Sequence, residues 1–175
     1  LLKIVKPESL NRSLSRWVRQ MLPEEREGLT LAVDGKTVRS TDGKKGYRQP
    51  LHIISAQLSE LGVTLASKSV EGKSNEIPAV QELLQQMDIK GCLVVADALN
   101  CQRETAKVIV SGKGDYLLSV KENQPSLMQD IRDYVQDDAL RGGMSAQSIR
   151  EKSRDRIEKR TAFVTQDIEW LPQKS

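Results

Sequence analysis

The chain has 175 residues, 38% of them hydrophobic, a globular composition with room for one core and a small appendage. Its net charge of +3 and pI near 8.9 permit an anionic partner without demanding one. Two tryptophans, three tyrosines and one phenylalanine are too few for a platform that stacks single-stranded nucleic acid, and no signal peptide or apolar run of membrane-spanning length is present.

In chain order, "ESLNRSLSRWVRQM" (residues 8–21) predicts a helix with Leu10, Leu14, Trp17, Val18 and Met21 on one face, broken by Pro23 and Gly28. From 30 to 71 the texture becomes strand-like. "TLAVDG", "LHIISAQLS" and "GVTLASKSVEG" are short apolar segments, with "SELG" as a hairpin turn. "SNEIPAVQELLQQMDIKG" predicts a helix that turns Ile77, Val80, Leu83, Leu84 and Met87 inward. Ser74 or Asn75 is its cap, and Pro78 sits where a missing N–H costs little. "CLVVADAL" reads as a buried strand and "NCQRETAKVIVSGKG" as a helix with Asn100 as its cap. "DYLLSVKENQ" is a further strand. "PSLMQDIRDYVQDDALRGG" is a helix with Leu127, Met128, Ile131, Tyr134 and Val135 on its inner face. The remainder, 144–175, is charged, and "RIEKRTAFVTQDIEWL" looks extended. No internal repeat is visible.

Three strands in meander, followed by helices alternating with strands, predict a mixed α/β sheet with flanking helices. That connectivity is ribonuclease H-like and sets the first strand beside the fourth. The expected organisation is a helical N-terminal segment (1–28), a ribonuclease H-like core (29–143) and the start of a β-rich insertion (144–175).

The stretch "LAVDGKTVRS" (31–40) admits three readings. A phosphate-binding loop fails, because Gly28, the nearest preceding glycine, is too distant and a strand fills the gap. An Asp-Gly turn is a strong hairpin signal. The third reading is a strand that presents Asp34 to a metal ion. In the predicted topology Asp97, at the end of the fourth strand, becomes its neighbour. Two close carboxylates repel, and a divalent cation is the usual compensation. Oxygen ligands suit Mg²⁺ or Mn²⁺, and two such ions can clamp the oxygens of a phosphodiester. The plainer reading makes Asp34 a turn residue and Asp97 a cap for the helix near Asn100. His52 is the sole histidine, and the two cysteines are Cys92 and Cys101. A structural zinc site is therefore excluded, and reduced thiols are expected.

Five blocks bear on the choice: "LAVDGKTVR", "LHIISAQ", "KSNEIPAVQELLQQMDIKGCLVVADALNCQRETA", "DYLLSVKENQPSL" and "RIEKR". Together, from about residue 29 onward, they resemble the H-repeat-associated insertion-sequence transposases of the DDE superfamily, which are bacterial mobile-element proteins. The resemblance implies that Asp34 and Asp97 are the first two catalytic acids and metal ligands. It also implies a Mg²⁺ or Mn²⁺ cofactor, double-stranded DNA at element ends as partner, and a bacterial cytoplasmic location. Neither a membrane nor a small-molecule substrate is expected.

The resemblance has two departures. The family's His-Gly-Arg-x-Glu motif falls on Arg154, Asp155, Arg156, Ile157 and Glu158, without the histidine and glycine. The family's third acid lies in a later Trp-x-x-Glu-Asn block, which this sequence does not contain. A start at Leu1 and a stop at Ser175 predict a fragment, inactive in strand transfer and inclined to self-associate. Glu158, Glu71 and Glu76 are the local acids weighed as substitutes. Glu158 reads better as a solvated strand residue, and Glu71 and Glu76 as loop and helix N-terminus. Lys36, Arg39, Lys44, Lys45 and Arg48 form a cluster placed to meet a phosphate backbone, and Lys121 is a further DNA-binding candidate. The basic residues from Arg150 to Arg160 alternate with acids and read as a solvated face. The expected function is that of a DDE transposase fragment. Its rivals are a ribonuclease H-like nuclease with a local third acid and a catalytically dead DNA-binding remnant.

Overall fold

The computed structural model describes residues 27–41, 50–71, 75–153 and 156–171, together with Ser9, Leu10, Ser13, Arg16, Trp17 and Gln20, which are helical. Of the expected N-terminal helix, Leu10 and Trp17 are exposed, and Leu14, Val18 and Met21 lie outside the described residues. The chain forms two compact units, Leu1–Ser119 and Val120–Ser175.

The first unit is built on a five-stranded sheet. Strands β1 (Thr30–Val38), β2 (Leu51–Leu58) and β3 (Val63–Glu71) form an antiparallel meander, and Gly62 takes a positive φ in the turn between β2 and β3. Helix α1 (Glu76–Gln85) leads to β4 (Leu93–Ala96). A 3₁₀ turn (Ala98–Asn100) and helix α2 (Arg103–Ser111) lead to β5 (Asp115–Leu118). The spatial order is β3-β2-β1-β4-β5, with β4 parallel to both β1 and β5. This is the mixed, ribonuclease H-like sheet expected from the order of elements.

Alternation along the strands creates the core. Leu31 and Val33 of β1, Ile54, Ala56 and Leu58 of β2, and Val94 and Ala96 of β4 are buried. Ala79, Val80, Leu83 and Leu84 cover them from α1, whose apolar residues recur at helical spacing. Leu65, Ile89, Cys92 and Ile109 complete the cluster. Lys68 of β3 pairs with Glu82, and Gln81 donates to the buried Thr105 hydroxyl at 3.2 Å, so polar contacts fix α1 against both β3 and α2.

Gly35 is not a turn residue. It sits inside β1, paired with Ile54, because β1 continues four residues past Asp34. A Cβ at this position would come within 2.5 Å of His52 Nε2 and 2.9 Å of the Glu76 carboxyl. Both side chains are buried, so neither can swing into solvent. Glycine stands here to let a histidine and a glutamate cross the strand.

The second unit contains α3 (Pro125–Gln136), a short α4 (Asp138–Arg141) and a hairpin of β6 (Ser145–Ser153) and β7 (Arg156–Val164). Pro125 opens α3, where its missing N–H is harmless. Tyr134 is buried, stacks on Trp170 with ring centroids 4.3 Å apart, and donates to Asp167 at 2.9 Å. Burial raises the Tyr134 phenol above the usual tyrosine range, and the Asp167 carboxylate adds to the shift. No helix among the described residues is long and apolar enough to cross a membrane.

Two outcomes follow from these contacts. Gly35→Ala should lower stability by about 1–3 kcal/mol, the usual cost of overpacking, read as a reduced urea midpoint at constant m. Wild-type stability in that variant would mean that His52 and Glu76 do not cross β1. Tyr134 should ionise above pH 10 in an ultraviolet titration. As an acid whose folded pKa is raised, it contributes stability that is present below its unfolded value and lost as pH rises through the folded one. Asp167→Asn should move its ionisation downward, and titration of Tyr134 at the ordinary tyrosine value would show that the ring is not docked.

Candidate metal and active site

The parallel ladder between β1 and β4 runs Thr30↔Leu93, Leu31↔Val94, Ala32↔Val95 and Val33↔Ala96. Asp34 and Asp97 are the next residue on each strand. The register therefore makes them the first residues beyond the parallel ladder on the two neighbouring strands. Both are exposed, at the point where the two strands part. Asp34 does not end β1, as the sequence suggested. It ends the pairing with β4, while β1 runs on against β2 to Val38.

Asp97 is also a cap, so the plainer reading of this residue holds in part. It precedes the 3₁₀ turn, and its Oδ1 accepts from the Asn100 backbone N–H at 3.4 Å and from Asn100 Nδ2 at 3.0 Å. Asn100 does not cap the following helix. That helix begins at Arg103, and the Asn100 side chain is buried.

Behind the aspartates lies a polar chain that crosses the sheet. The Thr37 hydroxyl meets His52 Nδ1 at 3.0 Å, and His52 Nε2 meets Glu76 Oε2 at 2.8 Å. Glu76 Oε1 accepts from Asn100 Nδ2 at 3.3 Å, and the same amide nitrogen donates to Asp97. Two carboxylate oxygens within reach of one atom require a donor there, which fixes the orientation of the amide. His52, Glu76 and Asn100 are 2%, 3% and 2% exposed, deep enough that any unmatched polar atom is costly. Among the described residues Asn100 Oδ1 is such an atom, buried without a hydrogen-bond partner. The sequence offered Glu76 as a substitute third acid and, better, as a helix N-terminal acid, and it gave no signal joining it to His52, the chain's one histidine.

The other candidate residues scatter. Glu158 lies in the β6–β7 hairpin directly opposite Glu151, and Arg160 bridges the two, at 2.8 Å to Glu158 and 3.7 Å to Glu151. It is a solvated strand residue, as its alternation with basic neighbours indicated. Lys36 is exposed two residues beyond Asp34, hence on the same face of β1, and Arg39 is exposed in the 3₁₀ turn after it (Arg39–Thr41). Lys44, Lys45 and Arg48 lie outside the described residues, as do Arg154 and Asp155. Lys121 does not end β5. It is exposed three residues past Leu118, in the second unit, where its carbonyl accepts from Gln124.

Among the described residues no group of three His, Cys, Asp or Glu side chains gathers to hold a metal ion. The donor set is thus two adjacent exposed carboxylates. Oxygen-only donors with open positions fit a hard divalent cation that keeps much of its water.

The family model described as "Transposase DDE domain" matches residues 25–175. An "Uncharacterized protein in dhlA 3'region" of Xanthobacter autotrophicus is 39% identical over 145 residues, which span 82% of this chain and 48% of that protein. The "H repeat-associated putative transposase YhhI" of Escherichia coli K12 is 34% identical over 123 residues, 70% of this chain and 32% of that one. The chain thus spans less than half the length of these two relatives. Among solved structures, a piggyBac transposase synaptic complex with hairpin DNA aligns with a TM-score of 0.43 and 12% identity, over 70% of this chain and 28% of that one. With nearly its whole length matched by the family model, this chain belongs to the transposase DDE domain family.

Proposed function

We propose that the chain carries part of the catalytic core of a DNA transposase, in which Asp34 and Asp97 hold Mg²⁺ or Mn²⁺ for phosphodiester cleavage and transfer at element ends. The observation that carries this reading is the register of β1 on β4, which leaves two exposed aspartates adjacent where the strands part. A cation bound there supplies Lewis-acid stabilisation of the charge that builds on the phosphoryl oxygens. The chain's own residues supply the rest. The aspartates fix the position of the charge, and the sheet beneath them is held by buried apolar side chains, so the carboxylates need no reorganisation. Lys36 and Arg39 offer exposed cations along β1 and its following turn for the sugar–phosphate backbone.

With two carboxylates and no third acid grouped with them among the described residues, the 175-residue chain by itself should not join DNA ends. The assay is Mn²⁺-dependent nicking and joining of duplexes bearing the element ends, beside direct Mn²⁺ titration. Asp34→Asn and Asp97→Asn should each abolish Mn²⁺ binding. Binding that survives both substitutions would reject the site. Joining by the unmodified chain, lost in Asp34→Asn, would show that a local acid completes it.

Duplex DNA binding should be weak, tolerant of sequence and steeply salt-dependent, since phosphate contacts release counterions. Lys36→Ala and Arg39→Ala should each lower the slope of log affinity against log salt by about one. Unchanged slopes would return both residues to ordinary solvated surface.

A further inference from the structure

The chain Thr37–His52–Glu76–Asn100–Asp97 is more than the core needs. Its middle members, His52, Glu76 and Asn100, are buried, where a hydrocarbon at position 76 would leave no carboxylate to be matched. Instead a carboxylate is taken almost wholly out of water and matched at both oxygens, to a histidine on one side and an amide on the other. Gly35 is kept free of a side chain so that the pair can pass. The far end of the chain is Asp97, whose Oδ1 takes both bonds from Asn100.

We propose that Glu76, anchored by His52, positions the Asn100 amide, and that this amide fixes the Asp97 carboxylate so that Oδ2 is presented to the divalent cation. Glu76 and Asn100 are then positioning residues that act through Asp97, not ligands. The inference rests on the aspartate-pair reading above and adds to it the device that sets the pair's geometry. Its physical content is restriction. The amide of Asn100 has two hydrogens, one directed to Glu76 and one to Asp97. A rotation that abandoned Asp97 would also break a hydrogen bond to a buried carboxylate. Outer-shell partners of this kind change metal affinity by about 10- to 100-fold when removed.

Chemistry separates positioning from ligation. In Glu76→Gln the side-chain oxygen still accepts from Asn100. Its amide donates to His52 Nε2, and the ring tautomer moves its hydrogen to Nδ1, which donates to Thr37. The relay survives without the negative charge. In Glu76→Ala it is cut.

The test is Mn²⁺ affinity of the full 175-residue chain by electron paramagnetic resonance, with circular dichroism confirming the fold of each variant. Glu76→Ala and Asn100→Ala should each weaken binding by about tenfold or more. The double variant should be no weaker than the worse single one within about twofold, as members of one chain behave. Glu76→Gln should keep the wild-type affinity. If Glu76→Ala does not fold, Asn100→Ala and Glu76→Gln still decide the matter. Folded Asn100→Ala with unchanged affinity overturns the proposal, because the network is then structural only. Glu76→Gln as damaging as Asp97→Asn also overturns it, because Glu76 is then itself a ligand. A wild-type chain that binds no Mn²⁺ rejects the aspartate-pair reading and this inference together, an outcome distinct from either of the others.

Discussion

The pairing of β1 with β4 governs this molecule. Four residues on each strand align in parallel, from Thr30 and Leu93 to Val33 and Ala96, and that alignment decides what stands next to what beyond it. A slip of β4 by one residue would turn Val94 and Ala96 away from α1 and lose the burial of both side chains. The same slip would separate Asp34 from Asp97. Hydrophobic registration, which has no interest in chemistry, thus fixes the spacing of two charges.

The fold was legible because its signals are local and repeated. Alternation in "LHIISAQL" and helical spacing in "EIPAVQELL" each name a type of element, and their order leaves few ways to lay them in one sheet. The neighbouring placement of the two aspartates was legible because each follows an apolar run of a strand. Gly35 was not, since an Asp-Gly pair inside a strand carries the same letters as one in a turn, and only the crossing of His52 and Glu76 distinguishes them. Asn100 was read as a helix cap for the same reason. Its partners are Asp97, three residues earlier at the cap of the same turn, and Glu76 on α1, and nothing in its immediate neighbours points to the second of them.

The second unit is held together differently. Its hairpin exposes Ile149, Ile157 and Val164, and it sets Glu151 opposite Glu158, a like-charge pair that would weaken the ladder without Arg160 between them. Its aromatic pair, Tyr134 on Trp170 with Asp167 accepting from the phenol, ties α3 to the segment after β7. Stability in this unit therefore depends on a few specific contacts, whereas the first unit draws on a continuous apolar layer.

The central place of β1 also bears on the time order of folding. Its partner β2 is the next strand in sequence, but its partner β4 arrives only after β2, β3 and α1 have been laid down. Parallel pairing across such a span requires closing a long loop before any contact rewards it, which is slow compared with forming the meander. Asp34 is therefore in place on a strand paired only with β2 before Asp97 reaches it. Asp97 meets Asp34 in the step that also seals Val94 and Ala96 into the core, so the two carboxylates become neighbours only as that burial forms.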